Sequence, residues 1–203
     1  MNSGLTAQDL VQFEKDIADL FNAGQIRSVI HLYSGGEENM LKAFESINPE
    51  DWVMCSWRSH YQCLLKGVPR EVLKKAIVEG RSIALCFTEY QILSSGIVGG
   101  ILPIAMGIAY SIKCKGRTNY VHCFLGDMTS ETGIASECIK YSRNFDLPII
   151  FHVEDNGMSI CGNTKEIWGS KELSFEYGGG KVQYSRYATG KYPHAGAGKR
   201  VQF

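Results

Sequence analysis

Two residues of this chain have the types and spacing to hold a metal ion together with an anion. Asp127 follows Gly126 after a short apolar run, residues 120–125 (YVHCFL). Asn156 follows a second run, residues 148–153 (PIIFHV), with Glu154 and Asp155 between. Each run reads as a strand, and residues 129–144 between them read as a helix. Strand, helix and strand in about thirty residues make a βαβ unit with a parallel pair. Its crossover is right-handed by rule, so both loops open at the same edge of the sheet. Ligands of open α/β sheets bind outside the carboxyl ends of the strands. A carboxylate and an amide oxygen meeting there suit Mg²⁺, which takes few protein oxygens and completes its octahedron with waters and phosphate oxygens. The free amides at the start of the helix after Asp127 suit an anion. The unit thus reads as a site for Mg²⁺ and a diphosphate. Taken one at a time, Gly-Asp and Asp-Asn-Gly read better as turns than as a site.

The rest of the chain must position that edge. It has 203 residues, 44% of them hydrophobic and 21% charged, which is globular composition and not that of a disordered chain. Lys plus Arg number 21, as do Asp plus Glu. The zero net charge argues against a nucleic-acid platform or a polybasic membrane module. The seven cysteines are odd in number and none forms a CxxC pair, which argues against zinc or a disulfide framework and for a reducing, cytoplasmic setting. The acidic, helix-patterned N-terminus is unlike a signal or transit peptide. Residues 92–112 carry no charge and place Gly96 and Gly100 at GxxxG spacing, but Ser, Gly and Pro crowd their first half. They read as a loop entering a buried helix at 99–113 and not as a membrane span. Helices are also predicted at 5–23, 36–46 and 69–78, a strand at 51–55, irregular chain at 81–96 and a last strand at 182–187. There is no internal repeat.

The spacing of Asp127 and Asn156, 29 residues, resembles the thiamine-diphosphate motif, Gly-Asp-Gly followed after just under thirty residues by Asn-Asn. Three further segments carry the likeness in order. They are residues 26–38 (IRSVIHLYSGGEE), 57–77 (WRSHYQCLLKGVPREVLKKAI) and 96–116 (GIVGGILPIAMGIAYSIKCKG). Together they resemble the alpha subunit of the thiamine-diphosphate-dependent 2-oxoacid dehydrogenases of the pyruvate, branched-chain and acetoin type.

The resemblance implies a doubly wound, mostly parallel α/β sheet of the diphosphate-binding type. The chain is then one such domain over 1–203, with an N-terminal helical segment (1–50), a core (51–168) and a shortened C-terminal segment (169–203). It implies Mg²⁺ on Asp127, Asn156 and the carbonyl of Met158. Gly126, Met128 and Thr129 would lie along the diphosphate, with Trp57 and Arg58 beside it. The backbones of Gly96 and Val98 would face the aminopyrimidine ring. His31 and His60 match histidines lining the active site, and His194, in the tail 182–198, matches a loop over it. The family's glutamate acts from a separate pyrimidine-binding domain that nothing here resembles. The resemblance therefore implies a beta-type partner chain, an α₂β₂ assembly and a lipoyl protein as acceptor, with no nucleic acid or membrane involved.

Several residues depart from the family. Met128 replaces the second Gly of Gly-Asp-Gly, Asp155 the first Asn, and Trp57 a Tyr. Gly36, Glu37 and Glu38 stand for Gly-Gln-Glu. The glycine-rich lipoyl-channel segment is altered at 80–95, and a helix–strand unit after 168 looks absent. These departures keep two alternatives open: a transketolase-like or acyloin-forming carboligase subunit, and a non-catalytic cofactor-binding subunit.

Overall fold

The computed structural model describes residues 4–188, 191, 192, 194 and 201–203. Helix α1 (Ala7–Asn22) starts at Thr6, whose hydroxyl accepts from the Asp9 amide while the Asp9 carboxylate accepts from the Thr6 amide. This reciprocal cap satisfies two amides that have no partner inside the helix. Its apolar positions Leu10, Phe13 and Ile17 recur at helical spacing and are buried. Helix α2 (Glu37–Phe44), strand β1 (Trp52–Cys55), and helices α3 (His60–Leu65) and α4 (Arg70–Ala76) follow. A π turn (Ile77–Arg81) bends at Gly80, φ 89°. Strand β2 (Cys86–Phe87), a 3-10 turn (Thr88–Tyr90) and β3 (Ile92–Ser94) lead to helix α5 (Ile101–Cys114). Then come β4 (Val121–Gly126), the short α6 (Asp127–Ser130), α7 (Gly133–Asn144) and β5 (Ile149–Asp155). A small hairpin, β6 (Met158–Ser159) with β7 (Gly162–Asn163), precedes α8 (Thr164–Trp168) and β8 (Val182–Arg186).

The main sheet has the order β2-β3-β1-β4-β5-β8, parallel except for β2 against β3. From β1 the chain first builds β3 on one side, then crosses back to build β4 on the other. This reversal opens a crevice at the carboxyl end of β1, where ligands of such sheets bind. Side chains of β4 alternate between two cores. Phe124 joins Phe13, Ile17 and Phe44 under α1 to α4, whereas Val121, Cys123 and Leu125 join Ile101, Ala105 and Ile139 under α5 and α7. The sheet is therefore covered on both faces, a doubly wound α/β arrangement.

Two local expectations are corrected. Residues 81–96 are not irregular throughout, because β3 pairs with β1 from Val53↔Ile92 to Cys55↔Ser94. The helix predicted over 129–144 is broken at 131–132. There the Thr132 hydroxyl donates to the Thr129 carbonyl and accepts from the Ala135 amide, ending one helix and capping the next. Among the described residues no helix is long and apolar enough to cross a membrane, and 92–112 divides into β3, a turn and α5.

Candidate active site

The carboxyl ends of β1, β4, β5 and β8 surround a cavity of about 560 Å³. From β1 come Trp57 and Arg58; from β4, Gly126, Asp127, Met128 and Thr129. From β5 and its turn come Glu154, Asn156 and Met158, and from the tail His194. Parallel pairing of β4 with β5 extends to Gly126↔Glu154, so Asp127 and Asn156 leave neighbouring strands at the same edge.

Asp127 is 2% exposed and accepts a hydrogen bond from the Thr164 hydroxyl at 2.6 Å. Burial pushes its carboxyl up to about 6, and the nearby charge of Asp155 adds to this, against the Thr164 bond. A buried acid whose charged neighbour is another acid is short of positive charge, the condition a divalent cation relieves. Asp155 is itself held by the Tyr184 hydroxyl and by the Gly157 amide at 2.6 Å. The Asn156 Oδ1 accepts from the Met158 amide at 2.9 Å. The Asp-Asn-Gly segment is thus a turn, and its Asn156 lines the cavity. A hard-oxygen set of carboxylate, amide and carbonyl from Asp127, Asn156 and Met158 fits Mg²⁺ in kind. Among the described residues, no group of three His, Cys, Asp or Glu offers a rival metal site.

Across the cavity Arg58 donates from Nε to the Leu32 carbonyl at 3.3 Å and lies 3.4 Å through Nη2 from His194 Nδ1. The His31 ring packs on those of His194 (4.6 Å between centroids) and Trp57 (5.8 Å). Its buried Nδ1 has no hydrogen-bond partner. Burial, then the charge of Arg58, drives His31 down to about 3, so the ring is neutral at pH 7. His194 is lowered by burial and by Arg58.

A family model described as "Dehydrogenase E1 component" matches residues 6–178. The chain belongs to the dehydrogenase E1 component family. It is 28% identical over 156 residues to the alpha subunit of acetoin:2,6-dichlorophenolindophenol oxidoreductase of Bacillus subtilis (strain 168), covering 71% of this chain and 46% of that protein. It is 27% identical over 165 residues to the pyruvate dehydrogenase E1 component subunit alpha of Porphyra purpurea, covering 73% and 48%. With the corresponding subunit of Rickettsia typhi (strain ATCC VR-144 / Wilmington) the identity is 30% over 162 residues, covering 74% and 49%. The chain spans about half the length of the curated relatives it matches.

This E1-family chain gathers most of the candidate residues at one edge, and Val98 joins them in the cavity wall. Gly96, His31 and His60 lie outside the lining, His31 packing against the lining residues Trp57 and His194. His60 is fully buried, with Nδ1 3.0 and 3.1 Å from the Glu14 carboxylate oxygens and Nε2 2.9 Å from the Ser82 hydroxyl. There it ties α1 to α3 and to the π turn. Of the tail 182–198, residues 189, 190, 193 and 195–198 lie outside the described residues.

Sequence reasoning missed Thr164, Glu154 and Tyr33. Glu154 extends from β5 on the same face as His152, and burial pushes its carboxyl up to about 7, against the Tyr33 hydrogen bond and the Arg58 charge. The Tyr33 hydroxyl donates to Glu154 Oε1 at 2.7 Å, and the Tyr33 ring stacks on Tyr187 at 5.3 Å. The signal was Gly35-Gly36. Gly35 has φ 95°, and a side chain there would meet the Ala188 carbonyl at 2.8 Å. A Cβ on Gly36 would fall 2.5 Å from the Tyr33 hydroxyl oxygen. Gly36→Ala is therefore expected to push Tyr33 off Glu154 at a cost of about 1–3 kcal/mol, as overpacking does. Urea unfolding of the variant checks this, and an unchanged midpoint contradicts it.

Proposed function

We propose that this chain is the alpha-type part of a two-chain, thiamine-diphosphate-dependent 2-oxoacid dehydrogenase. One observation carries the reading. A buried carboxylate short of positive charge, Asp127, and the amide of Asn156 face the same cavity as Arg58. In this reading Asp127, Asn156 and the Met158 carbonyl hold Mg²⁺. The Arg58 guanidinium takes the diphosphate, for which its planar fork of donors is suited. Gly126, Met128 and Thr129 border the diphosphate, and Trp57 and Val98 wall the site. Thiamine diphosphate, when bound, supplies the electron sink for cleaving the bond beside a 2-oxo group. His194, which lines the cavity, holds a proton on the substrate side, and the neutral His31 ring packs against it.

The Asp127 and Asn156 positions account for the metal, but no acid here is assigned to protonate the cofactor's pyrimidine ring. A beta-type subunit is proposed to supply that glutamate. The apolar surface beside the cavity supports the reading, since Ile97 is 73% and Val98 52% exposed, as is natural for residues covered by a partner. An α₂β₂ assembly in a reducing compartment with a lipoyl acceptor completes the proposal. Carboligation is the second reading, favoured by residues 81–96, which fold into β2 and β3 against the sheet edge.

Native mass spectrometry of the complex purified from its source, paired with CO₂ release from 2-oxo acids, tests the reading. A second chain together with thiamine diphosphate and Mg²⁺ is expected. A cofactor-free chain with no partner and no turnover overturns it.

A further inference from the structure

Glu154 and Arg58 both line the cavity, one from the end of β5 and the other from the segment after β1. A buried carboxylate that shares a cavity wall with an arginine is ordinarily satisfied by a hydrogen-bonded ion pair with it. Here Glu154 Oε1 is taken by the Tyr33 hydroxyl at 2.7 Å, and Arg58 turns its Nε to the Leu32 carbonyl instead. Among the described residues no ion pair within 4.0 Å joins Arg58 to an acid. Tyr33 is fixed to do this from every side. Its amide donates to Glu14 at 3.2 Å, its carbonyl accepts from the Tyr61 hydroxyl at 3.3 Å, and its ring lies 4.8 Å from that of Tyr61. Gly36 leaves the space its hydroxyl occupies.

We infer that Tyr33 is a positioning residue for the anion site: by engaging Glu154 it keeps that carboxylate from pairing with Arg58, and so leaves the guanidinium for a diphosphate. The inference rests on the reading of the cavity as a Mg²⁺–diphosphate site. Neither Tyr33 nor Glu154 needs to touch the anion. What they set is how much of Arg58's binding capacity the ligand receives. Loss of the Tyr33 hydroxyl lets Glu154 swing to Arg58, and an entering anion must then break that pair.

The test is calorimetric titration of the full chain, with whatever subunit co-purifies, using inorganic pyrophosphate in excess Mg²⁺. Tyr33→Phe removes the hydroxyl and keeps the ring against Tyr61 and Tyr187. Its affinity is expected to fall about tenfold, equivalent to about 1.4 kcal/mol, with little change in Tm. Tyr33→Phe combined with Glu154→Gln removes the competing charge and is expected to regain most of the loss. A purely structural Tyr33 would not be rescued by a second substitution at Glu154. An unchanged affinity in Tyr33→Phe, or a loss that Glu154→Gln leaves in place, overturns the inference while the cavity reading stands. Absence of binding by the unsubstituted protein overturns both.

Discussion

Asp127→Asn and Asp127→Ala are each expected to weaken binding of thiamine diphosphate in Mg²⁺ by at least ~100-fold. Outer-shell changes alone cost about 10–100-fold in metal affinity, and Asp127 is proposed as a direct ligand. The stability effect has the opposite sign. In the absence of metal the Asp127 carboxyl is raised from 3.8 to about 6 by burial and by Asp155. The folded state therefore prefers the protonated acid. The unfolded chain loses its proton near 3.8, so ionising Asp127 costs stability as pH rises from about 4 through 6. Asparagine removes that cost while keeping an acceptor for the Thr164 hydroxyl. The metal-free Asp127→Asn protein is thus expected to melt a few degrees above the unsubstituted protein at pH 7–8, with the advantage shrinking to nothing by pH 4. Binding titrations and thermal melts across this range check both parts. Undiminished binding contradicts the ligand role. A variant less stable at pH 8 contradicts the account of why that carboxyl is poised for a cation.

Phe124→Ala is expected to cost about 3–5 kcal/mol, lowering Tm by roughly 10 °C. Phe124 is 2% exposed in the central strand β4. Its ring stacks on Phe44 at 5.9 Å and lies 4.3 Å from His152 at an interplanar angle of 8°. The cavity left lies between the sheet and the α1–α4 layer, with rigid neighbours on both sides, so it cannot collapse cheaply. The deletion also exposes the His152 ring, which burial and then the charge of His122 hold down at about 3. Phe124→Leu, nearer in volume, is expected to lose about 1 kcal/mol. Denaturant unfolding distinguishes the two, and a loss below about 1 kcal/mol for the alanine variant contradicts this packing account.

The β4–α–β5 unit was legible because strands buried on both faces are short apolar runs, and Gly126-Asp127 and Asp155-Asn156 punctuate their ends. α1 was legible from its 3.6-residue apolar spacing. The three-residue β3 was not, since ILS is too short to show a period and its pairing depends on β1, some forty positions earlier in the chain. His60 shows a different limit. Its place in the WRSH segment fits a cavity histidine or a core histidine equally well, and only the approach of Glu14 and Ser82, far away in sequence, decides which neighbours it meets. Glu154 looked like a turn residue because it stands beside Asp155 and Asn156. Strand alternation sends it to the opposite face from Asp155, towards Tyr33 and Arg58. Thr164 lies 37 positions from Asp127, and no local pattern joins them.

The most direct measurement is a calorimetric titration of thiamine diphosphate into the purified protein, with Mg²⁺ in one series and EDTA in the other. The account expects one saturable site per chain with Mg²⁺ and affinity lost by at least ~100-fold in EDTA, as for a site whose acid faces the cation directly. Binding that is equal in both series, or no binding in either, contradicts the assignment of this cavity as a metal–diphosphate site.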